Sequence, residues 1–254
     1  MADRSPQGAG EFYVGAADEM PPALARRLRN LVLLLIAGGV ALAGILAVAQ
    51  ADFVPSVYEF GNEREFVGFL RERPVPALVV VEPRTRELSR YLLVSAGKFG
   101  ASDEVEGLDG VAVRLRGTLL YVGEQTAVEL TAGSIARLDE PSTLVASEPV
   151  DRGVQVLRGE IVDSKCYFGV MNRGRGKVHR ACAARCISGG IPPSLVVSAA
   201  DGSVSHFLLV GRDGRAIGGD VLDRVAEPVE VTGRVLGYDN LWVVQAEPGD
   251  VRRL

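Results

Sequence analysis

The sequence predicts a mainly β protein in which an N-terminal transmembrane helix is followed by tandem OB-like β-barrels, the second with a short helical Cys/His insertion. Three observations carry this. Residues 31–49 (LVLLLIAGGVALAGILAVA) run nineteen positions without a charge. The chain beyond them repeats one pattern of short apolar runs at an offset of 116 to 117 residues. The second copy is interrupted by about 26 extra residues, which hold all three cysteines and one of the two histidines.

Residues 1–22 are rich in Gly, Ala and acidic side chains and hold no apolar period, so the segment 1–25 reads as a disordered cytoplasmic tail. The segment 26–50 reads as the anchor. Its apolar run is long enough for a bilayer core. Arg26, Arg27 and Arg29 precede it, whereas Gln50, Ala51 and Asp52 follow, and the positive-inside rule then leaves the N-terminus in the cytoplasm. The reading is a single-pass protein of the inner (cell) membrane with its C-terminal domains in the periplasm. A cleaved signal peptide is the alternative, since Ala47-Val48-Ala49 and Ala49-Gln50-Ala51 resemble cleavage sites. Four acidic groups in the leader and the length of the apolar run favour an uncleaved anchor.

The repeat sets the domains as 53–150 and 151–254. PALVVV at 76–81 matches PSLVVS at 193–198, SRYLLV at 89–94 matches SHFLLV at 205–210, and VRLRG at 113–117 matches VEVTG at 229–233. Three matches in order at a nearly constant offset mark one module written twice. In the second copy, strands are expected at 154–163, 194–199, 204–211, 228–236 and 241–246, with a type I′ turn at Asp201-Gly202. Five short strands, with room for a helix between the third and fourth, suit an OB-like barrel. Residues 138–152 are expected to link the modules.

Between the matched Gly and the matched Pro the first module has only Gly68 to Pro76, whereas the second has Gly159 to Pro193. The insertion, 163–191, therefore occupies one barrel loop, where sites are commonly placed. The first module has no Cys or His and is expected to lack the activity. Within the insertion, 177–187 (KVHRACAARCI) is free of Pro and Gly and is followed by Gly189-Gly190, which predicts a short helix with a glycine stop. His179, Cys182 and Cys186 then share one helix face, and Cys166 can close over it. Thiolates with an imidazole suit a transition metal, whether zinc, copper or the iron of an iron-sulfur or haem centre. The alternative is a disulfide from Cys166 to Cys182 or Cys186 that staples the insertion and leaves one thiol. A C-x3-C spacing does not match the C-x-x-C of thioredoxin-like sites.

Other features carry less. Arg173, Arg175, Lys177 and Arg180 place positive charge beside the cysteines, in what reads as a mobile basic turn; its glycines do not make a phosphate loop. Met171 is a possible soft ligand, read as packing. His206, at the position of Arg90 in the first copy, is expected on the barrel surface. No Ser-His-Asp arrangement or carboxylate pair supports hydrolase chemistry. Net charge is -4, and residues 1–49 sum to zero, so the barrels carry the acidity and no footprint for nucleic acid.

GEIVDSKCY at 159–167, with His179, Cys182, Ala183 and Cys186 and then Gly189-Gly190 and Pro192, resembles a motif of uncharacterised exported bacterial proteins. That resemblance covers about 35 residues. It implies a common site and no established activity. The plan of anchor and barrel is also similar in architecture to the haem chaperones of cytochrome c maturation. Their haem-attaching histidine motif falls on no residue here, and the tandem barrels and cysteines depart from their pattern. The functional expectation is an accessory subunit of a membrane complex, for electron transfer or metal handling, rather than an enzyme acting alone; the competing class is a disulfide-stapled interaction module without cofactor.

Overall fold

The computed structural model describes residues 20–51, 56–82, 85–139, 148–171 and 174–254. The chain divides into an N-terminal unit and a body that runs from Val54 to Leu254. The first unit contains helix α1, Pro22–Ala51. It begins inside the segment expected as tail, because Pro22 is pre-set for a first helical turn and Leu24 and Ala25 are strong helix formers. Its stretch Pro22–Ala49 is long and apolar enough to cross a membrane, a test that signal sequences also pass. The expected tail at 1–19 lies outside the described residues.

The body is mainly β and contains two closed five-stranded barrels in tandem. The first is built from β1 (Ser56–Arg71), β2 (Ala77–Val81), β3 (Leu88–Val94), β4 (Ala112–Val122) and β5 (Gln125–Leu130). Its order is β1-β2-β3-β5-β4, closed by pairing of β4 with β1, and β3–β5 is its parallel pair. A short helix α2 (Ser102–Val105) lies between β3 and β4, and a two-residue strand β6 (Ala136–Arg137) pairs antiparallel with β4. The second barrel repeats the order with β7 (Val150–Asp163), β8 (Pro193–Ser198), β9 (Val204–Val210), β10 (Pro228–Tyr238) and β11 (Leu241–Gln245), with β12 (Val251–Arg253) paired antiparallel to β10. This is the strand order of an OB-like barrel.

Matched glycines mark where the strands press together. A Cβ on Gly68 would stand 2.3 Å from the carbonyl oxygen of Val79, and one on Gly159 would stand 2.3 Å from that of Val196. The two glycines are 91 residues apart and their partners 117, so the difference is the insertion.

Three apolar cores result. Leu70, Leu78, Leu93, Leu115 and Val128 fill the first barrel. Ile161, Leu195, Leu209, Val231 and Val244 fill the second. The third lies between the barrels and joins Leu92, Val94 and Leu120 of the first with Leu208, Val210 and Val243 of the second. Alternate side chains of β3 and β9 thus enter different cores, which is why the second half of each strand, YLLV at 91–94 and FLLV at 207–210, reads as an unbroken apolar run instead of an alternating one. Polar contacts close the same seam. Arg90, only 3% exposed, donates from Nε to Asp239 at 2.8 Å, and its guanidinium lies 4.9 Å from the Tyr238 ring centroid.

Two local expectations are corrected. Residues 150–152, expected in the linker, belong to β7, whose pairing with β10 extends to Val150 and Gly237; residues 140–147 lie outside the description. At the β8–β9 turn, Gly202 has φ +84° but Asp201 has no positive φ. The backbone N–H of Ala199 donates to Ser203 across a three-residue loop, so one left-handed position at Gly202 suffices and the turn is not type I′.

Candidate metal centre

The site starts where β7 stops. The Asp163 carboxylate accepts a 2.8 Å hydrogen bond from the backbone N–H of Cys166, and the chain there enters a π-helical turn, Cys166–Val170. Helix α3, Arg180–Ser188, follows. It is shorter than the expected 177–187 segment at its start, because 176–179 form a turn with His179 at the N-cap. Ala183 and Ile187 of α3 enter the core of the second barrel. Cys186 belongs instead to the core between the barrels, with half-buried Cys182 packed against it. Gly189 ends the helix and Gly190 takes φ +93°. The glycine pair also has a second role. A Cβ on Gly189 would fall 1.9 Å from the carbonyl oxygen of Lys98, and the N–H of Gly100 donates to Gly189 at 3.0 Å.

The four predicted ligands converge. Cys166 Sγ, a His179 ring nitrogen and Cys182 Sγ lie within 4.8 Å of one another, and Cys166 and Cys186 form a second such set with an Asp163 oxygen. All three cysteines are free thiols. Cys166 and Cys186 are 4% and 1% exposed. His179 is also buried, with Nε2 2.9 Å from Asp163 Oδ2. A carboxylate on Nε2 fixes the ring and leaves Nδ1 free to coordinate, the usual arrangement behind a metal-bound histidine. Each Asp163 oxygen holds one hydrogen bond, and the two bonds orient Cys166 and His179.

Electrostatics separate the thiols. A hydrogen bond to Cys186 holds the Cys166 thiol well above the usual range, with burial and the Asp163 carboxylate acting in the same sense. The same bond lowers Cys186 to about 7, against burial and Asp163 and with the help of Lys98. Lys98 comes from the other barrel. Its Nζ lies 2.8 Å from Cys182 Sγ and 3.7 Å from Cys186 Sγ. Beside Cys166, Lys165 is 2% exposed and donates to the carbonyl oxygens of Ser95 and Gly97 at 2.6 and 2.7 Å, with Glu129 Oε2 at 2.5 Å. Lys165 therefore clamps the loop that carries Lys98.

Charge beside the thiols thus includes a source that was not expected. Arg180 turns to Glu227 and the Asp223 carbonyl at 2.7 and 2.8 Å, and Lys177 is exposed. Arg173 lies outside the described residues. Met171 is 43% exposed. His206 does not sit free on the barrel surface: its ring is 5.1 Å from that of Tyr167, and its Nε2 is enclosed without a partner. The first barrel, expected to be silent because it has no Cys or His, contributes Lys98. A compositional signal for these residues was present. Of 28 cationic side chains only Lys98, Lys165 and Lys177 are lysine, and two of the three are built into this site.

Soft sulfur donors with an oriented imidazole, two of the sulfurs enclosed in an apolar seam, fit a transition ion, and the Cys/His groups are close enough to bind one. No family model, curated protein or solved structure matches the chain.

Proposed function

We propose that the chain is a membrane-anchored periplasmic accessory protein whose Cys166, His179, Cys182 and Cys186 hold a transition metal, for electron transfer or metal handling within a membrane complex. The observation that carries this reading is the Asp163–His179 pair at 2.9 Å beside converging thiols. A disulfide would require no buried carboxylate on a histidine. The ion, when bound, would supply a soft Lewis-acid or one-electron centre. The protein orients His179 through Asp163, keeps water from Cys166 and Cys186 through the seam, and leaves Cys182 as the half-exposed donor. The apolar helix and its leading arginines support the anchor and its orientation. The likeness of the 159–192 motif to exported bacterial proteins agrees with a shared site.

The test is mass spectrometry of the whole chain, first native and then denatured without reductant. A bound mass that is lost on denaturation and leaves three free thiols is the expected result, and His179→Ala should abolish it. One observation favours a second reading: Cys166 and Cys186 are both buried and in thiol–thiol contact. A disulfide there would give an apo mass two hydrogens light with one free thiol, unchanged by His179→Ala. That outcome would establish the stapled interaction module instead.

A further inference from the structure

The first barrel bears no cysteine or histidine, yet its loop between β3 and α2 reaches the thiols. Three contacts fix that loop to the insertion. Lys165 donates to Ser95 and Gly97, the N–H of Gly100 donates to Gly189, and the backbone at Lys98 rests where a Cβ on Gly189 would be. The Lys98 ammonium is thereby set between Cys182 and Cys186, at 2.8 and 3.7 Å. Lysine at this position is also a choice of chemistry. In a chain that uses arginine for 25 of its 28 cations, the residue on the thiols is a compact ammonium, which presents a point charge where a planar guanidinium presents a broad fork.

We propose that Lys98 is the fixed counter-charge of the metal–thiolate centre, so that the site belongs to both barrels and is complete only when they are docked. The proposal rests on the metal reading above. Three thiolates and a neutral imidazole around a divalent ion leave one net negative charge in an apolar seam, and an ammonium held against two of the sulfurs offsets it. Burying that charge without a partner is costly. The N–H donor also draws electron density from the sulfur it touches. Lys98 is a positioning and charge-balancing residue and contributes no metal-bound atom.

The experiment uses the whole chain in detergent under reducing conditions, titrated with Co²⁺ and followed by the thiolate-to-cobalt charge-transfer absorption. Lys98→Met is expected to weaken Co²⁺ binding by about tenfold or more, the usual effect of losing a group behind the ligands, and to shift the charge-transfer band to lower energy. Lys98→Arg should recover part of the affinity. Lys165→Met, which frees the loop without touching a sulfur, should give a smaller loss in the same direction. Because Lys98 is exposed, the urea unfolding midpoint of metal-free Lys98→Met should match that of wild type. Wild-type affinity and an unmoved band in Lys98→Met, with binding abolished in Cys182→Ser, would overturn the role of Lys98 and leave the metal reading intact. No Co²⁺ binding by wild type would overturn the metal reading, and this proposal with it.

Discussion

Arg90 and His206 occupy the same position on the third strand of their barrels, 116 residues apart, and both are drawn into the seam. The duplicated strand has thus been adapted twice. Arg90 carries a charge across the seam to Asp239, with side-chain exposures of 3% and 6%. Removing one partner of such a pair leaves the other charge buried and unpaired, so Arg90→Ala should destabilise the body by about 3–5 kcal/mol. Urea unfolding of Arg90→Ala, Asp239→Asn and the double variant checks it. A double variant that is no more damaged than either single one is the expected result.

His206 gives the seam a pH dependence of known sign. Burial lowers its pKa from 6.5 to about 4. Between those values the unfolded chain binds the proton and the folded chain does not. Its contribution is therefore present above pH 6.5, is lost progressively as pH falls, and levels off below about 4. The ceiling is about 3 kcal/mol. The loss of stability between pH 7 and pH 4.5 should be smaller in His206→Phe than in wild type; equal losses would show that the imidazole is not the group concerned.

Gly189→Ala places a methyl group 1.9 Å from the Lys98 carbonyl oxygen. The backbone must then move, at a cost of about 1–3 kcal/mol, and the Lys98 loop moves with it. The variant should lose stability and metal affinity together. Gly249→Ala, with nothing within 4 Å of its new Cβ, should change neither.

Asp163→Asn keeps the shape of the side chain but weakens its hold on the His179 ring. It should lower Co²⁺ affinity by about 10–100-fold. His179→Ala should remove binding altogether. An Asn variant that binds as tightly as wild type would mean that the carboxylate does not orient the ligand.

Much of this architecture was legible from two periodicities. The 116-residue offset gave the tandem barrels, and the excess between Gly159 and Pro193 located the insertion. Helical spacing brought His179, Cys182 and Cys186 together because those relations are local. Asp163 was visible as the end of a strand but not as a partner of His179, since nothing local states which way a buried carboxylate turns. Lys98 lies 84 residues from Cys182 and reaches it only through the docking of two barrels. The same docking explains His206, because a strand that faces a second protein surface has no solvent side for a polar residue to occupy. Arg180 was assigned to the cysteines by proximity in sequence, and Glu227 was the stronger attraction.

The insertion itself was inexpensive. Eight residue steps separate Gly68 from Pro76, and thirty-four separate Gly159 from Pro193. Lengthening a connection about fourfold adds only about 1.2 kcal/mol of closure entropy, and the strands on either side keep their pairing. A barrel of this kind can gain or shed such an insertion while its fold persists. The two halves of the body are the same module with and without that acquisition, and the bare half serves as a built-in reference: transplanting residues 164–192 between Glu72 and Pro76 would ask whether a chemical site can be moved as a cassette.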